Sequence, residues 1–132
     1  MTKEEAGKSR IEAFTADFYL ASPQAVTMDG KVIFLDHHAN RSAAVSFGPG
    51  SVILPTGFNK IAFDESSGIF RAKNVAAPIN CKRLNLKTPC AETGICTDCD
   101  SPSRICRVLE VMHKKPASIK VKIVLCVEEF GY

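Results

Sequence analysis

Four of the chain's six cysteines fall in residues 90–106, at Cys90, Cys96, Cys99 and Cys106, spaced C-x5-C-x2-C-x6-C. Gly, Pro, Thr, Asp and Ser fill much of the space between them, and these residues favour loops. Such a segment has little apolar surface to bury, so something other than packing has to hold it. A metal bound by the four thiolates meets that need, because short spacings bring the sulfurs to one centre at low closure cost. The flanking gaps fit no standard ferredoxin or zinc-ribbon spacing, so an iron–sulfur cluster and zinc both stay open. A reversible disulfide between Cys96 and Cys99 is a second reading. A reduced, functionally silent set is a third. Arg104 and Lys87 can offset thiolate charge. Cys81, on a helix-like segment, is a spare ligand, and Cys126 reads as a small core residue in an apolar strand.

The rest of the composition excludes several classes. The 132 residues suffice for one domain and one core. A net charge of +3 with dispersed lysines and arginines gives no nucleic-acid footprint. No apolar run approaches the about 20 residues that cross a membrane. The polar N-terminus has no apolar signal region, so a cytoplasmic, reducing location is expected. In that compartment clustered cysteines serve metals or redox chemistry more often than structural disulfides.

Local patterns place the elements. Thr2 and Glu5 form a capping-box pattern ahead of a short polar helix over residues 1–13. Phe18, Tyr19 and Leu20 read as a short buried strand. Asp29-Gly30 between two β-prone runs predicts a two-residue type I′ hairpin. Asp36 or Asn40 can cap a helix over residues 41–47, and Gly48-Pro49-Gly50 ends it. Residues 51–55 form a buried strand with Asn59 and Lys60 just beyond its C-terminal end, the edge where open α/β sheets bind ligands. A helix starts at residues 64–67, sends Ile69, Phe70, Val75 and Ala76 to the core and Arg71 and Lys73 to water, and breaks or kinks at Pro78. Residues 80–84 continue as a further helical turn. Residues 106–112 and 119–127 are strands, the second half-exposed at its lysine-bearing start and buried at its apolar end. Strands alternating with helices give an α/β fold with a mostly parallel sheet flanked by helices and a Cys-rich loop.

Certain motifs are shared with a known family. These are Asn40-Arg41 with Phe47-Gly48-Pro49, then Gly57-Phe58-Asn59-Lys60-Ile61, then residues 71–84, residues 87–106 and residues 124–132. From about Ala16 onward the chain resembles the LUD domain of lactate-utilization proteins, in its cysteine-bearing branch. The resemblance implies a fold similar to the sugar-phosphate isomerase and CoA-transferase group. It also implies a role near lactate or organic-acid oxidation, beside an iron–sulfur redox partner protein. It implies no catalytic mechanism, and whether the chain is an enzyme stays open. The family's usual N-terminal half, with its Gly-rich turn, has no counterpart before Ala16, where there is a polar leader over residues 1–13. The chain is therefore expected to be a single LUD-like domain over residues 1–132, either a fragment or naturally halved. A sheet edge would then be exposed and the protein is expected to form a homo-oligomer. His37-His38-Ala39 replaces the family's small residues before Asn40-Arg41, which weakens a ligand role carried over to that turn.

Apart from the cysteines, two pairs carry candidate chemistry. Arg41 with Asn40 at a helix start can hold a carboxylate or phosphate, or else make an internal salt bridge to Asp36 or Asp64. Lys60 with Asn59 has the same choice at the strand end. Adjacent His37 and His38 point apart and read as solvated, as do His113 and the helical pair Lys82-Arg83. Three functions follow. The first is an accessory protein of organic-acid oxidation with a metal or iron–sulfur cysteine loop. The second binds or transforms a small anionic metabolite through Asn40, Arg41, Asn59 and Lys60. The third is a homo-oligomeric interaction module without chemistry.

Overall fold

A computed structural model describes residues 2–132. Its centre is β3 (Val32–Asp36), buried along its whole length. Alternation along β3 divides the core in two. Val32 and Phe34 face one cluster with Val45, Val52, Leu54, Met112 and Ile119. Ile33 and Leu35 face another with Ala25, Ala62, Ala72 and Ala77. A central strand with both faces covered needs apolar residues at successive positions, and Val-Ile-Phe-Leu supplies them.

Two sheets form these layers. β1 (Phe18–Leu20), β4 (Ser51–Gly57) and β7 (Lys120–Cys126) make a three-stranded parallel sheet with β4 in the middle. β5 (Ile61–Ala62), β2 (Ala25–Thr27), β3 and β6 (Val108–Met112) make a mixed sheet in that order. Within it β2–β5 is parallel, and β2–β3 and β3–β6 are antiparallel. The α/β class with a parallel sheet is the one the residue pattern gives, and the mixed sheet is the added feature. Because β1 and β7 are edges, their apolar residues are less buried than their composition suggests. Phe18 and Leu20 are exposed, as is Leu125 near the apolar end of β7. Cys126 in that strand is half-buried, not a core residue.

The β2–β3 hairpin forms where Asp29-Gly30 predicts it, with a different turn. Gly30 N–H donates to Thr27 O and Thr27 N–H to Lys31 O, enclosing a three-residue loop. Only Gly30 takes positive φ, +88°, so the turn is not type I′, which needs it at both central positions. The Thr27 hydroxyl, which accepts from Lys31 N–H and donates to the Asp29 carboxylate, stabilises the longer loop.

α1 (Lys3–Glu12) starts on the Thr2/Glu5 capping box. α2 (Asn40–Ser46) is capped by Asp36, and its N-cap Ala39 is left-handed. α3 (Glu65–Arg71), capped by Asp64 and Ser67, runs without a break through a π-helical turn (Ala72–Ala76) into α4 (Ala77–Arg83). Pro78 lacks the N–H for residue 74's carbonyl, and the widened turn before it absorbs that loss without breaking the helix.

Of the four residues expected in the core from this helix, Ile69 packs against it and Ala76 is buried, while Phe70 and Val75 turn outward. Gly68, Ala72 and Ala76 lie against the mixed sheet. A Cβ on Gly68 would stand 2.2 Å from Ile33 Cδ1. Small residues let the helix approach closely, which turns Phe70 outward and Arg71 inward. Phe70 is 63% exposed and Val75 39% exposed. Arg71 donates from Nε to Asn59 O at 2.9 Å and from Nη1 to Gln24 O.

Candidate functional site

A cleft of about 690 Å³ opens beyond the C-terminal end of β3 and β4. Arg10, Arg41, Lys60 and Arg83 line it, with the polar groups of Ser22, Gln24, Asn40, Asn80 and Tyr132. His37 and His38 sit at its mouth, exposed, their ring centroids 4.2 Å apart. His38 titrates below the ordinary histidine value, through partial desolvation and then the nearby His37 and Arg10. Asp36 is the one acidic side chain among the described lining residues.

Asp36 is already matched. It is 2% exposed. Arg41 Nε donates to Oδ1 at 2.7 Å, and Arg41 Nη2 lies 2.6 Å from the same oxygen. Ser42 donates to Oδ2 from its backbone N–H at 2.8 Å and from Oγ at 3.0 Å. The pair therefore caps α2 and fixes the guanidinium together. Arg41 Nη2 also donates to Leu35 O at 3.0 Å, while Nη1 has only a 3.4 Å contact with Ser22 O. The internal salt bridge expected as one option for Arg41 exists. Its Nη1 edge is left for the cleft.

Lys60 is 4% exposed. It sits in the short helical turn (Phe58–Lys60) after β4, and its Nζ donates to Ser22 Oγ at 2.8 Å. The Phe130 ring lies 5.9 Å from that nitrogen. No carboxylate pairs with it among the described residues. Burial, then Arg71 and Arg41, bring its pKa down to about 8.

Asn59, the fourth expected ligand residue, turns away. Its side chain accepts from Phe130 N–H at 3.2 Å and donates to Gly131 O at 2.9 Å. It thus seats residues 130–132 as one wall of the cleft. Tyr132 Oη donates to Asn80 Oδ1 at 2.8 Å, and Arg83 donates to the same oxygen and stacks over the Tyr132 ring. Arg83, exposed as expected, also lines the cleft, and Arg10 reaches the cleft from α1. The Asn80–Arg83 spacing of three on a helix was the one local sign that these side chains share a face.

The cysteine loop lies beside this cleft. Thr88 precedes α5 (Pro89–Thr93), and Gly94 ends it. Arg104 organises the rest, donating from Nη1 to Cys99 O at 2.7 Å and from Nε to Cys106 O at 2.8 Å. Its Nη2 meets Asp98 Oδ1 at 2.6 Å. Ser101 Oγ donates to Lys87 O at 2.7 Å. Arginine and serine hydrogen bonds therefore hold the loop that composition alone left without support.

All six cysteines are free thiols. Cys81 and Cys90 are buried, and Cys96, Cys99 and Cys106 are half-buried. Burial raises the Cys81 thiol to about 11, and its Cys90 and Cys106 neighbours add to the rise. Cys90 Sγ contacts Thr88 Oγ1 at 3.4 Å. Among the described residues no three Cys, His, Asp or Glu side chains converge as a metal requires. Cys106 instead borders a small cavity of about 30 Å³ that adjoins the cleft and shares Gln24, Leu35, Asn80, Ile105 and Tyr132 with it.

The LUD domain profile matches residues 1–126 of the chain. No curated protein matches. A crystal structure of a DUF162 family protein from Deinococcus radiodurans is similar at 18% identity and a TM-score of 0.47. The match covers 89% of this chain and 58% of that one, so the chain spans little more than half of that relative's length.

Proposed function

The chain belongs to the LUD domain family, and on that premise we infer that it binds a small anionic metabolite in lactate or related organic-acid oxidation. The observation that carries this reading is the charge balance of the cleft. Four cations line it, and its one acidic side chain is consumed by Arg41 and Ser42. An arginine edge held in place by a buried carboxylate loses little entropy on meeting a carboxylate or phosphate. Arg83 and Lys60 face the same space, and among the described residues neither has a carboxylate partner.

A thermal-shift series with lactate, pyruvate, phosphate, sugar phosphates and coenzyme A tests the reading. A bound anion at a hundred times its Kd adds about 2.7 kcal/mol to stability. Arg83→Glu should abolish the shift and leave the fold intact. Indifference to every anion would remove the reading.

Two further roles rest on narrower observations. The nearness of the Cys81, Cys90 and Cys106 thiols to one another, and of Cys96 to Cys106, supports zinc or an iron–sulfur cluster. Metal analysis of anaerobically purified protein decides that. The open edges of the parallel sheet, with Phe18, Leu20 and Leu125 exposed, support self-association. Sedimentation across a concentration series tests it, and a monomer throughout would exclude it.

A further inference from the structure

We propose that Lys60 forms an imine with the carbonyl carbon of a 2-oxo acid whose carboxylate is held by the arginines of the cleft. The proposal deepens the anion-binding reading and rests on it. Its basis is the placement of one amine. Lys60 Nζ is buried, faces the cleft, and has a hydroxyl, Ser22 Oγ, as its hydrogen-bond partner in place of a carboxylate. A buried lysine retained for stability would be expected to carry an acidic partner. This one instead lies among cations.

The groups that face Lys60 come from every side of it. Ser22 comes from the β1–β2 connection, Arg41 from α2, Arg71 from α3 and Phe130 from the C-terminal tail. None of them is acidic, and Asp36 is committed to Arg41. Cationic neighbours and burial both favour the free amine, which is the nucleophilic form. The same cations attract a carboxylate, so a ligand that carries a carbonyl next to its carboxylate brings its electrophilic carbon to the amine. A lactate-like hydroxy acid binds by its carboxylate but has no such carbon.

The step balances without a redox partner. The amine lone pair forms the C–N bond while the carbonyl π pair moves to oxygen, giving a carbinolamine. The two amine protons leave with that oxygen as water, and the C=N bond remains. Ser22 Oγ, at 2.8 Å from Nζ, is placed to pass a proton between nitrogen and the departing oxygen.

Reductive trapping tests this on the full chain. Pyruvate and sodium cyanoborohydride should add one reduced pyruvyl group, mapped by peptide mass to Lys60. The rate should rise roughly fivefold from pH 7 to pH 8, following the free-amine fraction of a group that titrates at about 8. Lysine at ordinary solvent-exposed positions would rise roughly tenfold over the same unit and go on rising at that slope toward pH 10. Lys60→Arg should lose the adduct and keep the circular dichroism spectrum and melting transition of the unsubstituted chain, which separates lost chemistry from a lost fold. Lactate should bind without trapping. Pyruvate that binds yet gives no adduct, or adducts scattered over surface lysines, would overturn the imine and leave anion binding standing. Absence of pyruvate, lactate and phosphate binding by calorimetry would remove both.

Discussion

The cleft and the cysteine loop are each organised by an arginine that meets an aspartate at 2.6 Å, and the two pairs differ in almost everything else. Asp36 is 2% exposed and gives its second oxygen to a helix N-terminus. Asp98 is 68% exposed, and Arg104 spends its other nitrogens on backbone carbonyls of the loop. Equal distances therefore mark unequal roles. In the cleft the ion pair cannot lose its arginine without stranding a buried carboxylate. In the loop the arginine is a brace, and its aspartate is an accessory screened by water.

Arg41→Ala should give the largest effect. It leaves the Asp36 carboxylate buried with only Ser42 as partner, at a cost of about 3–5 kcal/mol. Urea unfolding should show it as a lower midpoint with an unchanged slope. Arg104→Ala should cost about 1–3 kcal/mol, felt locally. Hydrogen exchange should quicken in residues 96–106 while β3 keeps its protection. Asp98→Ala should lower the melting temperature least of the three, since its partner keeps both backbone bonds. A large loss there would erase the contrast between the two pairs.

The pH dependence sharpens the same contrast. Lys60 titrates at about 8 in the fold, below its ordinary value of 10.5. Between these values the unfolded chain holds a proton that the native chain has released, so stability rises with pH from about 8 upward. Lys60→Met should remove that rise. Anion affinity should move oppositely, weakening as pH passes 8 and the lysine loses its charge. Asp98 is held below the usual carboxylate range by Arg104. Its share of stability is present above the unfolded carboxylate value and disappears in acid, far from the Lys60 window.

What the sequence disclosed follows the range of the forces involved. The Thr2/Glu5 box, the Asp64 helix start and the position of the hairpin are local, set by residues within three or four of one another. The outward Phe70 and inward Arg71 are not local. They depend on Ile33, far back in the chain, meeting Gly68. Arg10, Arg41 and Arg83 come from three helices, and no window of sequence shows that they share a cavity. Asn59 sits beside Lys60 in sequence but turns to the C-terminal tail, a contact that only the fold creates. The cysteine spacing was legible as a loop. Its support was not, because Arg104 reads from the sequence as offsetting thiolate charge, and only the fold brings it to the carbonyls of Cys99 and Cys106.

The central claim is that the cationic cleft, not the cysteine loop, receives the ligand. Amide chemical-shift mapping of isotope-labelled protein titrated with pyruvate tests it most directly. Saturable shifts are expected at Ser22, Gln24, Asn40, Arg41, Lys60 and Arg83, with little change at Cys96 and Cys99. Shifts confined to residues 90–106, or none at any concentration, would contradict it.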